Sequence, residues 1–339
     1  MARLRLSVAL LIAVAHAVVS TGARLPDAGH EADHAPGIPR LQRQAAAPDF
    51  FTSPPTQEAK AAAEPCGEAC VSVARAYAAK GLCSLPEAAG CQMVFLPQSE
   101  TFPAAKTGVI FYPGALVDPR AYAPLARELA DGYSLPTVVP IFAEDLANDC
   151  DGSRAELAAR AVPGVRFWVM AGHSLGGDVA AQALRAWLSS SRTDAKRSIG
   201  GLALLGSYLN TEPSCGRPPL DLSRMPLSAA IVEATNDHIV NRSRLAAGAH
   251  LLPPAEYVFQ MNVTGGNHSQ FGSYDPSNRP GPLGPDGNAT IPEAVQRGLS
   301  AAAIADVAAR GSHQQRVGGG AGRGDDLKRI ASRATEAFT

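Results

Sequence analysis

Val165-Arg166-Phe167-Trp168-Val169-Met170-Ala171-Gly172-His173-Ser174-Leu175-Gly176-Gly177-Asp178 is the stretch on which the fold turns. Its apolar first part, Val165 to Ala171, predicts a buried strand, and Asp178 to Leu188 beyond it predicts a helix. Between them stands Gly172-x-Ser174-x-Gly176. A serine on so sharp a strand-to-helix turn takes a tight backbone conformation, and glycines two residues to either side remove side chains that would collide with neighbouring elements. The Ser174 hydroxyl then projects above the sheet, where it can act as a nucleophile. The Leu175 amide lies at the helix N-terminus, where unpaired N–H groups and the positive end of the dipole can hold a developing oxyanion. The plainer alternative is a glycine-rich helix start with an ordinary capping serine; a strand before and a helix after favour the nucleophile.

Outward from this turn, short apolar runs alternate with amphipathic stretches from about Cys91 to Arg310. This predicts an α/β fold with a mostly parallel central sheet and helices on both faces. Strands are expected at Gly108–Tyr112, Thr137–Phe142, Val165–Ala171, Ile199–Gly206, Leu227–Ala234 and Tyr257–Val263, and helices at Ala121–Ala130, Arg154–Ala161 and Asp178–Leu188. The chain between Ser207 and Leu227 is too short for a large helical lid, so the lid is expected to be small or absent.

A serine hydroxyl is a poor nucleophile at neutral pH and needs a base, which in turn needs a group that holds its tautomer. For a serine on such an elbow the partners follow in the order acid, then histidine. Asp237 comes directly after the strand ending at Ala234, and His268 follows the strand ending at Val263, so both reach the sheet edge that carries Ser174. His238 adjoins the acid, His173 precedes the nucleophile and His250 falls at an expected helix end; each reads as structural or exposed. Asp178 is carried one helical turn away, and Asp221 precedes its strand instead of following it. A second oxyanion donor is expected in the turn after Tyr112, Pro113-Gly114-Ala115-Leu116, with the Ala115 amide as first choice and Gly114 as the alternate.

Four segments carry a resemblance: Val109-Ile110-Phe111-Tyr112-Pro113-Gly114 with Val117-Asp118-Pro119 and Tyr122; Ala171 to Gly177; Thr235-Asn236-Asp237; and Gly265-Gly266-Asn267-His268-Ser269-Gln270-Phe271-Gly272. Over about residues 92–310 the chain resembles the α/β-hydrolases, close to their single-domain, dienelactone-hydrolase-like subgroup. The resemblance implies Ser174 as nucleophile, His268 as base and Asp237 as acid, in hydrolysis of an ester or related acyl bond with no metal and no cofactor. The chain departs from dienelactone hydrolases proper in carrying serine where they carry cysteine, and has Ala115 where related chains often have a second glycine.

The flanks read differently. Met1–Ala23, with Arg3 and Arg5 ahead of the apolar run Leu6–Val19, reads as a secretory signal peptide. The run is shorter than the ~20 residues of a spanning helix, and no later segment reaches that length. Residues 24–65, rich in Pro, Ala and His, read as a linker or pro-segment; 66–91 as a cysteine-rich lead-in; and 311–339 as a flexible tail in which Asp325–Phe338 could form a short helix. Six cysteines behind a secretory signal suit disulfides. Cys66, Cys70, Cys83 and Cys91 are expected to form two local bridges of open connectivity, and Cys150 and Cys215 to pair across the active rim. Glycosylation sequons stand at Asn241, Asn262, Asn267 and Asn288. Asn267 beside the expected base is expected unused, Asn262 is expected to face inward, and Asn288, in the Pro/Gly-rich loop Pro276–Asn288, is the expected site.

With 30 Lys+Arg against 31 Asp+Glu the formal charge is −1, which leaves no field to gather nucleic acid or an anionic membrane. The expected partner is a small acyl compound. Thioesterase, peptidase or chlorophyll-ester hydrolysis on the same residues, or a non-catalytic binding protein on a hydrolase scaffold, are the competing classes.

Overall fold

The computed structural model describes residues 52–84, 91–98, 107–190, 199–278 and 285–317. The expected signal peptide, the part of the expected linker or pro-segment before Thr52 and the tail beyond Val317, with Asp325–Phe338, lie outside the described residues. Among those described, seven strands form one sheet: β1 (Gln92–Phe95), β2 (Thr107–Tyr112), β3 (Thr137–Pro140), β4 (Phe167–His173), β5 (Ile199–Leu205), β6 (Ala229–Ala234) and β7 (Val258–Val263), in the order β1-β3-β2-β4-β5-β6-β7. All neighbours run parallel except β1, which pairs antiparallel with β3 at the edge. The helices are α1 (Gln57–Ala62), α2 (Glu68–Ala79), α3 (Ala123–Arg127), α4 (Ser153–Ala161), α5 (Leu175–Ser189), α6 (Arg242–Gly248) and α7 (Glu293–Val317).

Central strands covered on both faces must be apolar on both, and β2, β4 and β5 are buried almost throughout. Side chains alternate across the sheet. Val109, Phe111, Val169, Ala171, Ala203 and Leu205 join the core beneath α7 and the Ala121–Ala130 region. Ile110, Tyr112, Trp168, Met170, Leu202 and Leu204 join the opposite core, with residues of α4 and α5. Burying each large apolar side chain of these two layers contributes about 1.5–3 kcal/mol before entropy is charged against it.

Each expected strand is present within two residues at either end. The expected helix at Ala121–Ala130 is subdivided: a 3-10 turn over Pro119–Tyr122, the short α3, then a wider turn over Glu128–Gly132. Three further expectations are corrected. Residues 52–65 are not a linker: Ser53 pairs with Val117, Pro55 pairs with Tyr274, and α1 buries Ala59. Beyond Gly311 the chain does not turn flexible at once, because α7 continues to Val317. Gly311 serves close packing there, since a Cβ would lie 1.7 Å from the Gly200 carbonyl oxygen. Asn262 does not face inward; β7 is the sheet edge and Asn262 is exposed.

All six cysteines are paired, as Cys66–Cys70, Cys83–Cys91 and Cys150–Cys215. The first two are local bridges flanking α2. The third joins the loop after β3 to the loop after β5, as expected. No helix among the described residues is long and apolar enough to cross a membrane.

The glycines of the elbow are required sterically. A Cβ on Gly176 would meet the Tyr112 and Pro113 carbonyl oxygens at 2.1 and 2.4 Å, and one on Gly172 would meet the Gly176 oxygen at 2.2 Å. Gly176→Ala should therefore lower stability by about 1–3 kcal/mol, the range for overpacking, read as a shift in the urea midpoint. Gly132→Ala, with open space around its Cβ, should leave the midpoint in place.

Candidate active site

Ser174 sits between β4 and α5 with φ 54° and ψ −123°. That left-handed conformation is strained for a residue with a side chain and persists only where the surroundings enforce it. Here the Ser174 N–H donates to the Leu205 carbonyl at 3.0 Å and its own carbonyl accepts from Ser207 Oγ at 2.8 Å. Ser174 and Leu175 are half-buried. Leu175 opens α5, so its amide precedes the first intrahelical bonds.

Asp237 and His268 are brought together. His268 Nδ1 lies 2.8 Å from Asp237 Oδ2, and both side chains are buried. The other carboxylate oxygen, Oδ1, accepts from the Ile239 and Val240 amides at 2.8 and 2.9 Å. Burial alone would push the Asp237 carboxyl up, but the charge and hydrogen bond of His268, aided by those two amides, hold it below the ordinary carboxylate range. An ionised carboxylate only accepts, so Nδ1 carries a proton toward Asp237, and whenever the ring is neutral the lone pair is on Nε2. Nε2 is buried and has no hydrogen-bond partner, and so makes no bond to Ser174 Oγ. In an unliganded site such bonds are often loose and tighten only around substrate.

Several contacts place His268 beside the elbow. Its ring packs on that of His173, centroids 4.4 Å apart, and His173 in turn packs on Phe271. Gly206, φ 49°, packs tightly against them: a Cβ would lie 3.0 Å from the Phe271 ring and 3.1 Å from His268 Nδ1, so those rings would have to shift. The loop carrying the histidine is gripped from α7: Gln296 Oε1 accepts from the Asn267 amide at 3.0 Å, and its Nε2 donates to the Asn267 carbonyl at 2.7 Å. Asp286 ties the same loop to the acid loop, accepting from the Ser269 amide and hydroxyl at 2.7 and 2.8 Å and from the His238 amide at 3.4 Å.

The turn after β2 is held as tightly. The Gly114 N–H donates to Tyr122 Oη at 2.9 Å, and that oxygen lies 2.9 Å from His173 Nδ1. Gly114, the alternate oxyanion donor, therefore has its amide occupied, whereas no such bond engages Ala115. Asn267 uses its side chain internally, Nδ2 donating to the Gly287 carbonyl and Oδ1 accepting from the Gln270 amide.

The residues set aside on positional grounds separate. His238, His250 and Asp221 are exposed. Asp178 accepts from Gln182 along its own helix. His173, by contrast, is buried against the site. Asp286 and Gln296 gave no sequence signal: one lies in a Pro/Gly-rich loop and the other in a helix of faint periodicity. Tyr122 stood in the quoted motif but without a role. Among the described residues, no three His, Cys, Asp or Glu side chains are grouped to hold a metal ion.

A mostly parallel sheet covered on both faces, with a serine on the elbow after its central strand and an Asp–His pair at the same edge, defines an α/β-hydrolase. The model of the alpha/beta hydrolase family matches residues 108–297. The chain belongs to that family. Similar solved structures include esterase 2 of Thermogutta terrifontis, at 15% identity and a TM-score of 0.39 over 55% of this chain and 81% of that one. A hydrolase of the alpha/beta superfamily from Xanthomonas campestris pv. campestris shows 21% identity and a TM-score of 0.39 over 60% and 98%. No curated protein matches the chain.

The depressed Asp237 carboxyl fixes a pH prediction. Its folded-state value lies below the unfolded one, so the stabilisation is complete above the unfolded value, about pH 4, and is lost as pH falls through the folded value. Asp237→Asn should flatten the stability profile below about pH 4, followed by thermal melts from pH 5 to 2.5; an unchanged acid limb would contradict the assigned bond.

Proposed function

We propose that this protein is a serine hydrolase that cleaves a carboxylic ester, or a related acyl bond, of a small to medium substrate. One observation carries the reading: a serine in a left-handed elbow shares its sheet edge with a buried histidine whose Nδ1 is held by an ionised aspartate. Ser174 Oγ attacks the acyl carbonyl carbon while His268 Nε2 accepts the hydroxyl proton. The carbonyl oxygen becomes an oxyanion facing the Leu175 and Ala115 amides. Collapse breaks the bond to the leaving group, which takes the proton from His268 and departs, leaving an ester on Ser174. Water, deprotonated by His268, repeats the attack and frees the acid and Ser174. Asp237 holds the tautomer and stabilises the imidazolium.

The segment Gly206–Ser228 contains no helix, which supports an open cleft over a lidded, interfacial one. Three disulfides support a protein made in an oxidising compartment, in keeping with Met1–Ala23 as a signal peptide. Asn288, exposed, is the sequon best placed for a glycan.

Ser174→Ala should lower turnover of an activated aryl ester by at least about 10³-fold while the thermal midpoint holds, and should abolish labelling by a fluorophosphonate. Wild-type turnover in that variant would refute the reading.

A further inference from the structure

Among the described residues no hydrogen bond engages the Ala115 amide, and the chain on both sides of it is pinned. Upstream, Tyr122 takes the Gly114 N–H. Downstream, the Leu116 N–H donates to the Asp145 carbonyl at 2.9 Å, the Leu116 carbonyl accepts from the Ser53 amide at 2.8 Å, and the Asp118 N–H donates to the Ser53 carbonyl at 3.1 Å. Leu116 has φ 56°, a conformation that a branched side chain does not hold without outside support. Much of that support comes from residues 52–79, which lie outside the family-matched region 108–297.

The fastening is ionic. Arg75, on α2, forks onto Asp145, with Nε to Oδ1 at 2.9 Å and Nη2 to Oδ2 at 2.7 Å, and Nη2 also reaches Asp118 Oδ2 at 2.9 Å. Thr52 Oγ1 donates to Asp145 Oδ2 at 2.9 Å. Arg120 closes the cluster, contacting both oxygens of Asp118 at 2.8 Å and reaching Glu68 at the start of α2. Arg75 thus joins the two carboxylates whose backbones bracket the turn, Asp145 bonded to Leu116 and Asp118 bonded to Ser53.

We propose that residues 52–79 form a strap that presets the oxyanion turn, and that Arg75 is its positioning residue. The proposal rests on the serine-hydrolase reading. An oxyanion donor lowers the barrier only if it is already aimed when charge develops, since reorientation during reaction would cost what the bond supplies. By holding Asp145 and Asp118 in one planar fork, Arg75 keeps Leu116 in its left-handed state and so sets the direction of the adjoining Ala115 amide. An ammonium in its place is a point charge that cannot hold both carboxylates in that geometry.

Two full-length variants test this. Arg75→Lys keeps the charge and loses the fork. Arg75→Met with Asp145→Asn removes one charge of each sign, so that no unpaired charge is buried, and leaves Asp118 to Arg120. Turnover of an aryl ester is measured per site titrated to completion with a fluorophosphonate, which removes any misfolded fraction from the comparison. We expect kcat per titrated site to fall about tenfold in both variants, part of the loss from deleting one donor, with KM within about twofold of wild type. Unchanged kcat in both variants, or a fall matched by an equal rise in KM, would overturn the strap. Ser174→Ala is assayed beside them. If it is inactive while both other variants keep the wild-type kcat, the strap fails and the serine-hydrolase reading stands; if Ser174→Ala itself keeps wild-type turnover, that reading fails.

Discussion

The active edge depends on a single close approach, that of the first turn of α5 to the end of β2. Gly176 allows it, because a Cβ there would penetrate the Tyr112 and Pro113 carbonyls, and Gly172 lets the same turn of α5 close onto the end of β4, where a Cβ would meet the Gly176 carbonyl. Ser174, between these close-packed elements, takes its left-handed conformation, and α5 begins at Leu175 against the end of β2. On the proposed reading, the nucleophile and both oxyanion donors then come from two adjacent strand ends. Strain at one residue is the cost, offset by the surrounding sheet.

The other half of the site lies on loops and needs a different kind of support. Strand ends bring Asp237 and His268 to the right edge, but β6 and β7 only start those loops. Asp286 and Gln296 then complete the placement by satisfying backbone groups on either side of the histidine. Buried polar groups of this kind are costly when unpaired and rigid when fully bonded. The His173–Tyr122 pair links the two halves, touching His268 through the His173 ring and the Gly114 amide through the tyrosine oxygen.

What could be read in the sequence follows from what is local. Gly172-x-Ser174-x-Gly176 between an apolar run and a helix is a short-range steric pattern, and chain order then led to Asp237 and His268, which the structure joins by a hydrogen bond. The central strands were legible because burial on both faces leaves them continuously apolar. By contrast β1 is four residues long and sits directly after Cys91, too brief to show a period. Helix α7 is lined by alanines, among them Ala301, Ala302, Ala303 and Ala308, whose value lies in close packing on the sheet and not in an amphipathic contrast. Residues 52–65 look like a linker in sequence because their order comes from partners far along the chain, Ser53 with Val117 and Pro55 with Tyr274, which no local window contains. Asp286 and Gln296 escaped notice for the same reason.

The central claim is that Ser174 carries the acyl group between two half-reactions. Rapid mixing with an aryl ester, followed by acid quench and peptide mass analysis, tests it most directly. We expect a burst approaching one leaving group per chain where deacylation is the slower step, and the acyl mass added to the peptide containing Ser174. An acyl group found on another residue, or steady turnover with the Ser174 peptide unmodified even when His268 is replaced to slow deacylation, would contradict it.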